Sequence, residues 1–280
     1  MIMQKILKKF NINTRSSLLI PYFIYSVIFI ITPLIFIAVL AFTPVFEDGQ
    51  RFNNFGTIQQ GRFWIIMLRS VYLGVLAAVF SLFIAMPFVY IVARSQNKIF
   101  KTIAMSLILS PFFIFSLVKV LAIRGLFSAM FDVNSLNNDA FLLLGLIYLY
   151  LPFMIIPIYS IFRDMPKNIL NASTDLGFSG IKTFFKVVIP YSIKAILSGV
   201  GIVFLLAATS IAVSEKLLPV PGQNQLVGNE INNLANPANP FDIALASNVV
   251  LVTLIVMSII YFLIYLLPIL IMKWKGMKNV

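Results

Sequence analysis

Asn171–Pro190 reads NASTDLGFSGIKTFFKVVIP. Two small residues, Ala172 and Ser173, precede Asp175-Leu176-Gly177, and an apolar run closes on Pro190, thirteen residues after the glycine. Glycine lets the chain turn sharply or lets a second backbone come close. Proline fits the first turn of a helix, where its missing N–H costs nothing. Taken alone, the stretch is an amphipathic connector that lies at a membrane surface through Phe184, Phe185, Val187 and Val188. Its setting says more. It separates two segments long enough to cross a bilayer, on the side where Lys and Arg accumulate.

Outward from this loop the chain is strongly apolar. Of its residues 60% are hydrophobic and 11% charged, with a mean hydropathy of +0.99. A water-soluble domain needs far more charge to cover its surface. Apolar runs recur, each long enough at about 1.5 Å per residue to cross roughly 30 Å of hydrocarbon. The short alternating segments of a closed β-barrel are absent. Six spans are expected over about 17–42, 67–93, 102–123, 140–162, 191–213 and 243–272. The first is too long for a signal peptide's apolar core of about 7–15 residues, and no cleavage site follows it, so it is expected to be retained.

The net charge of +12 is a matter of sidedness. Fifteen of the 21 Lys and Arg fall in the N-terminal segment, the 94–101 loop, the 163–194 region and the C-terminal tail. Seven of the nine acids fall on the opposite side, with only Asp164 and Asp175 on the basic one. Cytoplasmic loops carry such an excess of cations. Both termini are therefore expected in the cytoplasm, and no nucleic-acid partner is called for. The Pro- and Asn-rich connection 214–242 contains Leu226-Val227-Gly228-Asn229-Glu230-Ile231, which is expected to dip back as a short helix against the bundle.

A search for catalytic motifs finds none. There is no Cys and no His, which removes thiol nucleophiles, imidazole bases and the usual metal ligands. No phosphate loop, nucleophile elbow or metalloprotease motif is present. Gly199 and Gly201 read as small residues for close helix approach. No metal and no cofactor are expected.

Asn171–Pro190 resembles the coupling loop of ABC importer permeases, which has Glu-Ala-Ala, a glycine three residues on, and an apolar end at proline. The family's leading Glu is Asn171 here, which removes a charged contact at that position. Leu146–Ser160, Ile108–Phe127, Leu226–Ile231 and Asn239–Ser247 resemble the spermidine/putrescine importer permeases, in their PotB-like branch. The resemblance implies an all-α membrane protein with the six-helix type I ABC importer permease (MetI-like) bundle. It would comprise a basic segment 1–16, a permease domain 17–272 carrying a coupling loop over 163–190, and a tail 273–280.

In that reading Asn171, Ala172, Ser173, Asp175, Leu176, Gly177 and Pro190 form a helix–turn–helix that docks on the ATPase. The implied partners are two copies of the ATPase, a second homologous permease, an extracytoplasmic polyamine-binding protein and membrane lipid in the bacterial plasma membrane. The chain would form half of a polyamine path working by alternating access, with no ATPase motif of its own. A polycation wants carboxylates at intervals and aromatic faces between them. Candidate path residues are Glu215, Glu230, Asp242, Phe113, Tyr148 and Tyr150. Glu215 leads because it is expected at the end of the fifth span, with Lys216 as a neighbour able to pair with it; Lys119 in the third span complicates a cation path. A permease for an inorganic ion or amino acid, an intramembrane enzyme, and a channel or secondary carrier remain as alternatives.

Overall fold

Proline and glycine punctuate this apolar chain, and their positions decide where its helices bend and touch. A computed structural model describes residues 19–47, 49–211, 213–220 and 225–274. The segment expected over 1–16 and most of the tail over 273–280 lie outside the described residues. In chain order the elements are α1 (Ile20–Phe42), a hairpin of β1 (Phe46–Glu47) and β2 (Gln50–Arg51), α2 (Gly56–Gln59), α3 (Gly61–Arg94), α4 (Lys98–Phe113, its last turn 3₁₀) and α5 (Ser116–Ser128). They continue with α6 (Asp139–Asp164), α7 (Lys167–Asp175), α8 (Gly180–Ala208), α9 (Val213–Leu217), α10 (Val227–Leu234) and α11 (Pro240–Trp274). Five of these, α1, α3, α6, α8 and α11, are long and apolar enough to cross a membrane.

The third expected span, 102–123, is not one helix. It is the pair α4 and α5, bent by 103°, a geometry shared by broken spans and re-entrant loops; counted as one span, the pair makes six. Pro111 causes the break. Its ring excludes the carbonyl of Leu107 from the helical ladder, and Ser110 Oγ donates to that carbonyl instead at 2.9 Å. Ile114 and Phe115 then run extended before α5 starts.

Pro190 does not start a helix, contrary to the sequence expectation. The helix begins ten residues earlier, at Gly180, and runs unbroken to Ala208. A π turn at Phe184–Val188 precedes the proline, as another at Val27–Ile31 precedes Pro33 in α1. The wider turn shifts the carbonyl that the ring would otherwise strike, so the helix survives. The same helix ends at Ala208, short of the expected 213, and Glu215 therefore sits on the separate short α9.

The chain forms two compact units, one of the described residues up to Gln59 with Leu234–Val252, the other of Gln60–Asn233 with those from Thr253 on. In the first, Asn54 and Asn248 both donate to the carbonyl of Ala41, at 3.2 and 2.8 Å, and Phe52 packs on Phe241. Only Ala41 of α1 is buried, so α1 exposes apolar residues on nearly every face, as a helix meant for lipid or another chain does.

In the second unit α3, α6 and α8 form the core. Small residues set their spacing. A Cβ added at Gly74 of α3 would lie 2.8 Å from Ala208 Cβ and 3.1 Å from the Phe204 carbonyl of α8, and one at Gly199 would lie 2.9 Å from Met154 Sδ of α6. Gly201 faces Tyr261 in the same way, so both fifth-span glycines serve close helix approach. The dip after Leu226 is present. α10 buries Val227, Gly228 and Asn229, Ser70 Oγ accepts its first N–H at 2.8 Å, and Gly228 lies against the carbonyls of Thr209 and Ser210.

Candidate functional site

At the end of the bundle where α6 meets α8, α7 and the start of α8 make a helix–turn–helix. Gly177 has φ +74°. Its N–H donates to Thr174 O at 2.8 Å and the Phe178 N–H to Ser173 O at 3.0 Å, the paired bonds of a helix end that needs a left-handed residue. Ser173 and Thr183 are buried and share a hydroxyl–hydroxyl bond of 2.5 Å, which pins α7 to α8. Ser179 caps α8 by accepting from the Lys182 N–H. Asn171, Ala172, Asp175, Leu176 and Gly177 are exposed, and Pro190 is half-buried.

The outward face of this unit is apolar. Leu176 and Ile181 are about three-quarters exposed, and Phe185 also projects. Behind it the unit is held by rings. Tyr90 of α3 packs edge-on against Phe184 at 5.0 Å and Phe162 at 6.4 Å, and the Arg94 guanidinium lies over Tyr90. Phe178 carries the Lys182 ammonium on its face at 4.4 Å. These ring contacts tie the surface to three core helices, α3, α6 and α8.

A cavity of about 870 Å³ opens where two helix breaks meet midway along α6. Its walls come from Phe112–Leu117, Lys119 and Val120 at the α4/α5 bend, Leu149, Tyr150 and Phe153 of α6, Leu206 in the last turn of α8, and Thr209, Ser210, Ile211 and Val213 beyond it. Phe112 and Phe153 stack edge to face at 5.0 Å. The Tyr150 hydroxyl donates to Ser210 Oγ at 3.1 Å. Lys119 lies in the wall and is 9% exposed. None of the lining residues is an acid.

Of the candidate path residues, Phe113 and Tyr150 line this cavity and Tyr148 does not. Glu215 does not line it either. It accepts from Lys216 Nζ at 2.7 Å, and Arg124 of α5 holds the Lys216 carbonyl at 3.2 Å. Glu230 is half-buried on α10, and Asp242 is half-buried in the first turn of α11. Phe153, Thr209 and Ser210 were not singled out from the sequence. A Thr-Ser pair closing an apolar run is a faint signal of a helix break, and Phe153 has no signal among so many phenylalanines.

The family described as "Binding-protein-dependent transport system inner membrane component" matches residues 85–274. The chain is 32% identical over 287 residues to the "Spermidine/putrescine transport system permease protein PotB homolog" of Mycoplasma genitalium, covering 95% of this chain and 98% of that one. It is 26% identical over 193 residues to the "Spermidine/putrescine transport system permease protein PotB" of Escherichia coli, covering 64% and 69%. Among solved structures, a bacterial alginate ABC transporter in complex with alginate pentasaccharide-bound periplasmic protein contains a chain of the same fold. The TM-score is 0.68 at 15% identity, over 93% of this chain and 94% of that chain.

Proposed function

As this chain belongs to the binding-protein-dependent transport system inner membrane component family and is a multi-pass transport subunit, we propose that it is one of two permeases in an ATP-driven polyamine importer. Similarity along 95% of the chain to a spermidine/putrescine permease carries the substrate class. The aromatic and hydroxyl-lined cavity suits ammonium groups joined by methylenes, since rings attract cations on their faces. The engine lies elsewhere, in a pair of ATPase subunits, and an extracytoplasmic binding protein delivers the substrate. Both termini lie in the cytoplasm, by the distribution of Lys and Arg.

The coupling loop is the exposed apolar unit around Leu176, Ile181 and Phe185, docked on an ATPase. Continuity of α8 gives it a mechanical route. At about 1.5 Å per residue, a 29-residue helix is roughly 43 Å long. One end is gripped by the ATPase and the other ends in the cavity wall at Leu206. ATP closes the ATPase pair, α8 tilts with it, and the cavity changes the side to which it opens. A loaded binding protein biases the same two-state equilibrium from outside. A permease for an anionic solute is the second reading, favoured by Lys119 in a wall without acids.

The test is ATP-dependent uptake of labelled spermidine or putrescine into vesicles holding the full assembly. Saturable polyamine uptake is expected, and its absence would reject the substrate. Glu215 lies outside the cavity and is held by Lys216, so a substrate ammonium would meet it only on the way in, in place of Lys216. On that reading Glu215→Gln, a near-isosteric loss of charge, is expected to slow polyamine uptake roughly 5- to 150-fold, equivalent to about 1–3 kcal/mol for one ammonium–carboxylate contact. The exposed Asp132 serves as control, and Asp132→Asn should leave the rate unchanged. Equal rates for Glu215→Gln and wild type would take Glu215 out of the path.

A further inference from the structure

We propose that Lys119 limits how many positive charges a substrate can carry through the cavity, so that this permease discriminates among polyamines by charge and not by length. The inference rests on the polyamine reading above. Lys119 is nine-tenths buried in the cavity wall. No hydrogen bond or ion pair joins its ammonium to another described residue. An isolated buried charge is costly and is retained where it has a task.

A second feature adds to the same wall. Lys119 is in the first turn of α5, a helix of 13 residues, and Phe115 at its cap position offers no side-chain acceptor. The first helical bond is Lys119 N–H to Phe115 O at 3.2 Å, which leaves the N–H groups of Ser116, Leu117 and Val118 with no acceptor inside the helix. The positive end of the helix dipole and the Lys119 ammonium therefore act together. No carboxylate among the lining residues cancels them.

Another part of the wall has the opposite character. There α8 ends with no basic residue in its last turn, and the carbonyl end of its dipole comes beside Thr209, Ser210 and the Tyr150 hydroxyl. The rings of Phe112 and Phe153, packed on each other, also line the cavity. One ammonium is favoured at the α8 wall, with the methylenes over the rings. Each further ammonium that enters is repelled by Lys119. Volume is not the limit, because 870 Å³ falls within the range of about 300–1,000 Å³ that takes drug-sized ligands.

The test compares initial uptake of putrescine, spermidine and spermine by the complete assembly carrying wild-type chain, Lys119→Met, Lys119→Gln or Lys119→Arg. Met and Gln keep most of the side-chain stem and remove the charge, and the yield of purified assembly reports folding. Both neutral variants are expected to raise the spermidine-to-putrescine ratio of kcat/KM about tenfold and the spermine ratio further, with Arg close to wild type. Unchanged ratios in both neutral variants would overturn the proposal. So would an equal fall for all three substrates restored by Arg, since Lys119 would then be holding a carboxylate of the second permease. Failure of the wild-type assembly to take up any polyamine would reject the substrate reading itself, and is scored before the variants are compared.

Discussion

Gly177→Leu is expected to cut ATP-dependent uptake to below about a tenth of wild type while the chain still inserts and assembles. Gly177 holds φ +74° with both backbone bonds of the helix end in place. A branched L-residue there costs roughly 1–2 kcal/mol, enough to shift the turn toward other conformations. Nothing lies within 4 Å of an added Cβ, so the new side chain harms no packing within the subunit. It adds bulk next to the exposed Leu176, in the loop proposed above to dock on the ATPase. Gly177→Asn, which tolerates the left-handed region better, should keep substantially more activity. Uptake and ATPase stimulation are measured on the same purified assembly. Full uptake by the Leu variant would reduce the helix–turn–helix to a connector.

A marked loss of folded protein is expected from Gly74→Val. An added Cβ meets Ala208 Cβ at 2.8 Å, the Phe204 carbonyl at 3.1 Å and Ala208 Cα at 3.2 Å. Two of these three atoms are backbone and cannot rotate away, so α3 and α8 must part. Overpacking of this kind costs about 1–3 kcal/mol. The displaced end of α8 also adjoins the cavity wall at Leu206 and Thr209. Thermal unfolding in detergent should show a drop of several degrees, with a lower yield. Gly125→Ala is the control, because an added Cβ there meets nothing within 4 Å and alanine favours a helix. Wild-type stability of Gly74→Val would mean that the α3–α8 contact is looser than this spacing.

Some of the site was legible because it is local. Gly177 announced a turn that side-chain bulk would disfavour, and the turn is there with a left-handed φ. Leu226–Ile231 announced a dip, because a short apolar segment in a polar loop needs cover, and α10 is buried against Ser70, Thr209 and Ser210. Tyr148 and Tyr150 show where such reading stops. Both were candidates for one reason, an aromatic ring in a span. They are two residues apart, and at 3.6 residues per turn that places them about 200° apart around the helix. Tyr150 faces the cavity and donates to Ser210, whereas Tyr148 is exposed.

The sequence by itself determined the apolar segments, their approximate lengths and the polar connections between them, because crossing hydrocarbon constrains composition residue by residue. Tertiary structure alone decided that α8 passes through Pro190 without a break and that the third span turns by 103°. A proline removes a ladder bond without specifying the response: Pro87, Pro152, Pro157 and Pro268 stay inside continuous helices, a π turn precedes Pro190, and a sharp bend follows Pro111. The cavity is likewise a tertiary product. Its walls join Phe112, Lys119, Phe153 and Ser210, residues far apart along the chain, and their meeting depends on how closely Gly74 and Gly199 let three helices approach.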